Sequence, residues 1–352
     1  MKGFMSRKSF SLLFKVMLVL LVTGCSSSDQ FYMGVVSDHF DGETFYNTGK
    51  FTRTTFGKIL PVLLFEKRGR WIKIRDLEAG PPPVSSVDST KLRITFIGHS
   101  TTLIQTHGKN ILTDPVWSDF ISPVPFIGPR AHHVPGINFE DLPQIDAVII
   151  SHNHYDHMDI PTLVKIKNKF NSIFYVPIGN EYILEGEGIT NVIELDWWES
   201  SKVSPSLEVF SVPAQHFSGR WIDDRNKSLW GGFVLSTIKG NIYFAGDTGY
   251  GDFINEISKR FQPVVLSLLP IGAYEPNDVI GPMHVRPDEA VKMHFDLKSQ
   301  KSIAIHFGRF PQAWESMAAP IRDLKKARVE SGLSKEDFSM LWPGEFTEIL
   351  FE

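Results

Sequence analysis

The chain has 352 residues, of which 42% are hydrophobic and 22% are charged, and its formal net charge is −4. This length and apolar content suffice for a large folded core and argue against a disordered chain. The small negative charge, without a long run of lysine or arginine, excludes a basic groove for nucleic acid. We therefore expect a globular protein with no nucleic-acid partner and leave its oligomeric state open.

Residues 1–24 have the pattern of a secretory signal. A basic start precedes an apolar stretch at residues 12–22, which Lys15 interrupts and which is shorter than the roughly 20 residues of a membrane span. The pattern resembles a bacterial lipoprotein signal, which implies that Cys25 becomes the lipidated first residue and attaches the protein to the membrane. Ser26 after it is similar to lipoproteins sorted to the outer membrane. We expect a location in the bacterial cell envelope, on the periplasmic face of the outer membrane.

Residues 25–91 are expected to form the lipidated cysteine, a polar tether and an N-terminal extension. Within the extension, residues 56–65 are apolar enough to pack on the main body, and residues 71–75 alternate in the manner of a strand. A proline-rich connector at residues 80–86 precedes the main domain. Because Cys25 is the only cysteine, neither a disulfide nor a thiolate metal ligand is available to the mature chain.

The main domain is expected to span residues 92–352 and to begin with strands. Three short strands are predicted first, at residues 93–97, 102–105 and 111–113. Farther along, strands alternate with helices, which are predicted to start near Asp159, at residues 252–261 and at residues 287–297. This order predicts an α/β fold in which sheets form a layered sandwich with helices outside.

A cluster of histidines follows one of the predicted strands. Residues 147–150 are apolar, and His152, His154, Asp156 and His157 come directly after them. Three imidazoles and one carboxylate within six positions are typical of a metal site.

Three further strand-like runs end in a residue that binds metals. His216 follows residues 209–212, Asp247 follows residues 241–245, and His306 follows residues 302–305. The carboxyl ends of neighbouring strands open onto one edge of a sheet, where loops hold functional side chains. The sequence therefore predicts that four strand ends converge on one site.

Seven ligands of this kind suit two ions. We expect one ion at His152, His154 and His216 and the other at Asp156, His157 and His306, with Asp247 able to bridge them. Imidazole nitrogen and carboxylate oxygen favour two Zn²⁺ ions, while Mn²⁺ or Fe²⁺ are also compatible. Two adjacent ions with a shared hydroxide favour hydrolysis as the reaction.

The same residues resemble the metallo-β-lactamase superfamily. Its members have a four-layer αββα sandwich, a His-x-His-x-Asp-His loop and later His, Asp and His ligands, in the order found at His152–His157, His216, Asp247 and His306. The resemblance is closer to one branch, the N-acylphosphatidylethanolamine-hydrolysing phospholipase D enzymes. The segments that carry it are residues 149–157, 194–198, 244–250 and 271–276.

This resemblance implies a two-zinc phosphodiesterase that converts N-acylphosphatidylethanolamine to N-acylethanolamine and phosphatidic acid, so that a phospholipid is the expected substrate. It implies catalytic roles for Asp247 and for His284, which matches a histidine near the lipid phosphate. The chain departs from the branch at Arg286, where an acidic residue is expected, and at Met283, where a polar residue is usual. Arg286 cannot cap a helix as aspartate would, although it could meet an anionic phosphate.

Two other functions are compatible with the same residues. A dinuclear site also hydrolyses carboxylic esters, lactones or other phosphodiesters, and a lipoprotein could bind metal or lipid without catalysis.

The His-x-Lys-x4-Asp pattern from His107 to Asp114 matches an unrelated phospholipase D class, but that class needs a second copy, so we interpret it as coincidence. Structural roles are expected for other suggestive residues, namely Ser100, His39, His132, His133 and His294, and the lone Asp-Thr-Gly triplet does not indicate an aspartic protease.

Overall fold

The computed structural model describes residues 31–49, 56–124 and 126–351. The expected signal peptide and Cys25 lie outside these residues. The strands are β1 (Lys91–Gly98), β2 (Thr101–Thr106), β3 (Lys109–Thr113), β4 (Ala147–Ile149), β5 (Ile173–Pro177), β6 (Val192–Leu195), β7 (Ser200–Ser204), β8 (Leu207–Val212), β9 (Gly232–Thr237), β10 (Gly240–Phe244), β11 (Val264–Pro270), β12 (Ser302–Ile305), β13 (Phe338–Ser339) and β14 (Phe346–Leu350). The helices are α1 (Phe56–Phe65), α2 (Ile160–Phe170), α3 (Glu181–Gly186), α4 (Phe253–Arg260), α5 (Asn277–Ile280), α6 (Pro287–Asp296) and α7 (Ala319–Ser331), with one 3-10 turn at Phe139–Asp141.

The strands form two seven-stranded sheets. The first has the order β14-β1-β2-β3-β4-β5-β6 and the second the order β13-β12-β11-β10-β9-β8-β7. In the first sheet, β14 to β3 pair antiparallel and β3 to β6 pair parallel. The second sheet repeats this plan, because β7 to β10 pair antiparallel and β10 to β13 pair parallel.

Alternating apolar side chains hold the two sheets face to face. In β4, Ala147 and Ile149 join the core between the sheets, whereas Val148 points to the opposite face. Successive strand residues point to opposite faces, so a strand that is apolar at every position is buried on both. Four apolar residues in a row at positions 147–150 thus mark a central strand covered on both sides.

Helices cover the two outer faces. On the first sheet, Leu163 of α2 and Leu184 of α3 pack with Val148. The second sheet is covered by α4, α6 and α7, whose buried residues include Ile257 and Leu324. The predicted α/β four-layer sandwich is therefore confirmed, and so are the three opening strands and the helices near residues 159, 252 and 287.

The N-terminal extension is packed onto the sandwich at two places. Phe40 and Phe45 form a buried aromatic cluster with Trp197 and Trp230. The strand predicted at residues 71–75 is wrong, because this segment joins neither sheet and is tied to the body by single backbone hydrogen bonds such as that from Ile74 to the His132 carbonyl. Alternation alone does not make a strand where no free strand edge lies alongside. Among the residues that the structure describes, no helix has the length and apolarity needed to cross a membrane.

Candidate metal centre

The four strand ends singled out in the sequence meet at one edge of the sandwich. The loop after β4 carries His152, His154, Asp156 and His157, while His216, Asp247 and His306 follow β8, β10 and β12. All but His154 are buried to 95% or more. The structure thus brings together all seven predicted ligands, four from the first sheet and three from the second.

Three imidazoles form one group. Nε2 of His152 lies 2.8 Å from Nδ1 of His154, which lies 3.3 Å from Nε2 of His216. All three candidate ligand atoms are within 4.8 Å of one another. Three imidazoles facing a common point give the ligand number of a catalytic zinc site, which keeps a fourth position open.

The second group lies next to the first and shares Asp247 with it. Oδ2 of Asp156 is 2.9 Å from Nε2 of His157 and 3.3 Å from Nε2 of His306. Oδ2 of Asp247 is 3.2 Å from Nε2 of His157, 3.1 Å from Nε2 of His306 and 3.9 Å from Nε2 of His216. One oxygen of Asp247 therefore faces ligand atoms of both groups, as a bridging carboxylate must.

Surrounding residues fix how the ligand imidazoles are turned. Nδ1 of His157 lies 2.5 Å from Oδ2 of Asp114, which also accepts the Ser151 hydroxyl at 2.6 Å. Nδ1 of His216 lies 3.1 Å from the carbonyl oxygen of Met283. These contacts leave Nε2 of both histidines for a metal and are the carboxylate and carbonyl braces that metal-binding histidines commonly have. Because the carbonyl of Met283 makes the contact, the side chain at this position does not affect the brace.

The extension supplies a further brace. The side chain of Asn47 accepts the backbone N–H of His216 at 3.0 Å and donates to its carbonyl at 2.8 Å. Nothing in the sequence indicated that this residue, about 170 positions earlier, would lie beside a candidate ligand.

The protonation states of the candidate ligands suit a bound cation. Burial lowers the pKa of His154 to about 4 and holds that of His152 well below its usual range, so both imidazoles are neutral at neutral pH. Burial opposes charge on His306 as well, but Asp247 and Asp156 outweigh it and raise its pKa to about 9. Burial likewise disfavours ionised Asp247, yet the neighbouring histidines hold its pKa well below normal. Positive charge between the two carboxylates is thus favoured, and metal ions would provide it.

Unsatisfied buried atoms support the same fit. Within the described part of the chain, Oδ1 of Asp247 is buried and makes no hydrogen bond, and Nε2 of His157, although 2.9 Å from Oδ2 of Asp156, is not aligned for one. Unpaired polar atoms in the interior are costly, so native structures retain few of them. The donor set, its burial and its orphaned atoms therefore fit metal ions, which His152, His154, His216, Asp156, His157, Asp247 and His306 would hold.

His99 was missed by the sequence analysis. It is buried, its φ is +58°, and its Nε2 lies 2.8 Å from Oδ2 of Asp156. Gln312 donates to the same oxygen at 2.6 Å. In the turn after β1, only Ser100 was considered in the sequence analysis, because His99 stands alone there and belongs to no recognised motif. The strand-end rule that identified the other ligands would also have identified His99, which follows β1.

A cavity of about 600 Å³ opens onto the metal centre. It is lined mostly by apolar residues, with His154, Asp156, Asp247 and His284 at its floor and Arg225 among its polar members. Nδ1 of His284 lies 3.8 Å from Oδ2 of Asp247, and burial lowers the pKa of His284 to about 4. His284 is therefore a neutral imidazole between the candidate ligands and the space where a substrate would lie. The lining residues are Ile121, Pro129, His154, Tyr155, Asp156, Phe217, Arg225, Asp247, Ala273, Val279, Ile280, Met283, His284, Gln312 and Ala313.

Residues 109–307 match the beta-lactamase superfamily domain, which is more than half of the chain. The chain belongs to the beta-lactamase superfamily. It is 39% identical over 259 residues to an uncharacterised protein of Mycobacterium tuberculosis, covering 71% of this chain and 68% of that protein. It is 35% identical over 257 residues to N-acyl-phosphatidylethanolamine-hydrolyzing phospholipase D 1 of Caenorhabditis elegans, covering 70% of this chain and 72% of the relative.

A solved structure shares the fold. The isothiocyanate hydrolase from Delia radicum gut bacteria superposes with a TM-score of 0.59 at 21% identity, covering 72% of this chain and 98% of that structure. The chain is thus a member of a family of metal-dependent hydrolases, with a His/Asp cluster that can bind metal. The predicted resemblance to this superfamily and to its N-acylphosphatidylethanolamine-hydrolysing branch is confirmed.

Residues outside the superfamily ligand set have structural contacts. Arg286 makes no side-chain cap to α6, as expected, and its guanidinium pairs with Asp288 at 2.8–2.9 Å, outside the lining of the metal cavity. His107 and Asp114 stand at opposite ends of β3, and Asp114 braces His157 instead of forming a pair with His107. His294 is buried against Ser302, while His39 lies between two aspartates.

Proposed function

We propose that this protein is a zinc-dependent phosphodiesterase of the phospholipase D type, which hydrolyses N-acylphosphatidylethanolamine to N-acylethanolamine and phosphatidic acid. The observation that carries the proposal is the position of the His/Asp cluster at the floor of a largely apolar cavity. A substrate with a phosphodiester and long acyl chains needs a metal-binding cluster for the phosphodiester and an apolar cavity for the chains. The 35% identity to the phospholipase D of Caenorhabditis elegans supports the same substrate class.

The reaction requires one bond to form and one to break. A water oxygen bonds to phosphorus, the bond from phosphorus to the ethanolamide oxygen breaks, and a proton from water ends on that leaving oxygen. Two bound metal ions would lower the pKa of water and neutralise charge on the phosphoryl oxygens.

The side chains of the site contribute orientation and hydrogen bonds. Asp247 faces both ligand groups through one oxygen, so it fixes their separation. His284 is neutral and lines the cavity beside Asp247, so we assign it a hydrogen bond to a phosphoryl oxygen of the substrate. Fixed donors in a buried site stabilise developing charge more than donors in water do.

The test is mass spectrometry of products after the full chain, loaded with zinc, meets N-acylphosphatidylethanolamine in mixed micelles. Equal amounts of N-acylethanolamine and phosphatidic acid are expected. Release of a free fatty acid instead would show that a carboxylic ester or amide is cut, and intact lipid with zinc bound would contradict the proposed substrate. Metal analysis of the same sample identifies the bound ion and distinguishes zinc from manganese or iron.

We also propose that the protein is held in the cell envelope by a lipid on Cys25. The proposal rests on the sequence of residues 1–25 alone. It predicts that the N-terminal tryptic peptide of the protein from its membrane fraction begins at Cys25 and carries acyl chains. Recovery of a peptide that includes residues before Cys25 would contradict it.

A further inference from the structure

Five large apolar side chains are exposed on two loops, residues 121–129 and 217–225, whose ends line the metal cavity. Phe126 is 82% exposed and Ile222 is 87% exposed, and Val124, Ile127 and Trp221 are between 45% and 64% exposed. We call these five residues the apolar rim. Single exposed apolar residues are common on protein surfaces, but several around one opening mark a surface that meets another apolar phase.

The apolar rim belongs to two loops that both line the cavity. The first loop contributes Ile121 and Pro129 to the lining, and the second contributes Phe217 and Arg225. Tyr155 contacts both loops, because it packs against the buried cluster that contains Ile121 and its hydroxyl donates to the carbonyl of Arg220 at 2.8 Å. A molecule that covered the rim would therefore lie beside the residues of these loops that line the cavity.

Backbone and side-chain hydrogen bonds fix the bases of both loops. In the first loop, a backbone bridge joins Phe120 to Arg130. In the second loop, the carboxylate of Asp224 accepts the backbone N–H groups of Arg220 and Trp221 at 2.9–3.0 Å. The Arg220 guanidinium donates to the carbonyls of Asn153 and Met158 at 2.8 and 2.9 Å, in the metal-ligand loop. These bonds fix the base of each loop, and the five side chains of the rim are exposed on the segments that the bonds enclose.

Cationic groups lie beside the rim. Arg225 is at the cavity wall, with its guanidinium 4.1 Å from the centre of the Phe217 ring, and Arg130 pairs with Asp119 at 3.4 Å. Asp223 adds one exposed carboxylate to the second loop. Asp119 offsets the charge of Arg130, so Arg225 at the cavity wall is the cation that we place against phosphate. Apolar tips beside this arginine match the layered chemistry of a phospholipid surface, where acyl chains lie beneath anionic phosphates.

We propose that the apolar rim docks on the surface of an anionic phospholipid bilayer and presents the metal cavity to the lipid headgroups. This inference rests on the proposed function, because a phospholipid substrate must leave a bilayer to reach the metal centre. The rim inserts its aromatic and aliphatic tips among the acyl chains, and Arg225 meets phosphate at the entrance. The contact is distinct from a lipid on Cys25, which would tether the chain without orienting the cavity.

A dye that brightens in an apolar environment tests the contact at single positions. The full chain is labelled with a nitrobenzoxadiazole dye in an Ile222→Cys variant and, as a matched control, in an Ile238→Cys variant. Ile238 is 90% exposed in the turn between β9 and β10 and belongs to neither loop. Both proteins carry the same Cys25, so their difference reports position only. The vesicles contain phosphatidylcholine with about one third phosphatidylglycerol and no N-acylated lipid.

Emission at position 222 is expected to rise at least about threefold on addition of vesicles, with little change at position 238, because burial of apolar groups in acyl chains is position-specific. Pure phosphatidylcholine or high salt should reduce the response at 222. Adding Phe126→Ser and Trp221→Ser to the labelled chain should remove most of the response. Val329→Ser with Ile238→Ser, at sites that are 76% and 90% exposed, should leave it unchanged.

An unchanged emission at position 222, or equal changes at 222 and 238, would overturn the proposal. A rise at 222 that depends on protein concentration without vesicles would show that a second copy covers the rim, and this would overturn it too. Because the vesicles contain no substrate, docking is measured independently of catalysis. A response at 222 together with intact N-acylphosphatidylethanolamine would therefore refute the proposed function and leave the docking surface in place.

Discussion

Replacing His99 by alanine is expected to weaken metal binding at one of the two ligand groups. Nε2 of His99 lies 2.8 Å from Oδ2 of Asp156, and both side chains are buried. Burial lowers the pKa of His99 to about 3, so the imidazole is neutral and donates one N–H to the carboxylate. A hydrogen bond to a charged group contributes about 1.5–3 kcal/mol, which corresponds to about 10- to 100-fold in affinity at about 1.4 kcal/mol per factor of ten.

The assay is competition for zinc between the protein and a fluorescent chelator, with the bound metal counted at each step. The His99→Ala protein should release one ion at about 10- to 100-fold lower chelator strength and keep the other, which the group at His152, His154 and His216 would hold. His99→Gln can replace the donor and should recover part of the loss. His294→Ala is the control, because His294 is also buried but contacts Ser302 outside the cluster.

Two results would refute this reasoning. If His99→Ala held both ions with unchanged affinity, the contact with Asp156 would have no part in the metal centre. If both ions were weakened equally, along with the control protein, the loss would reflect general destabilisation and not the orientation of Asp156.

Three further outcomes are expected. Asp247→Asn should lose at least about 100-fold in turnover while circular dichroism stays unchanged, because the amide removes the charge that faces both groups; near-normal turnover with full metal content would exclude bridging. Asn47→Ala should lower the free energy of unfolding of the metal-free protein by about 1–3 kcal/mol in urea, since it leaves the buried backbone of His216 unpaired; an unchanged urea midpoint would contradict this. Burial opposes charge on His39, but hydrogen bonds, led by the one to Asp196, outweigh burial and raise the pKa of His39. The protonated imidazole therefore stabilises the fold fully below about pH 6.5, and this stabilisation is lost as pH rises through the raised pKa. His39→Asn should remove this part of the pH dependence of the urea midpoint.

The sequence predicted the architecture well because its strands are buried on both faces. Four consecutive apolar residues at 147–150 are typical of a central strand, and the same logic located β8, β10 and β12. The rule that strand ends share an edge then placed all seven candidate ligands together. Periodicity was less informative at residues 71–75, where burial does not follow the apolar alternation, since Ile72 is 56% exposed, and the segment pairs with no strand.

Residues that support the ligands could not be predicted, because they are distant in sequence and have no motif. Asn47 reaches His216 across about 170 positions, and Asp114 braces His157 across 43. Each contact depends on how the sheets pack, which the local pattern does not encode. The orientation of Arg286 toward Asp288 and the outward position of Ile222 are likewise results of loop geometry.

The distribution of ligands over the two sheets has a consequence for the stability of the whole domain. Each ligand group combines residues after β4, in the first sheet, with a residue after β8 or β12, in the second. A bound ion would therefore cross-link the two sheets in a chain whose single cysteine cannot form an internal disulfide. Metal binds fully only when the two sheets are packed together, so its binding free energy stabilises the packed state. Saturation with metal should therefore make unfolding more cooperative and shift it to higher temperature. Chelation of the bound metal would remove this link between the sheets, so the metal-free protein should unfold at a lower temperature than the metal-loaded protein.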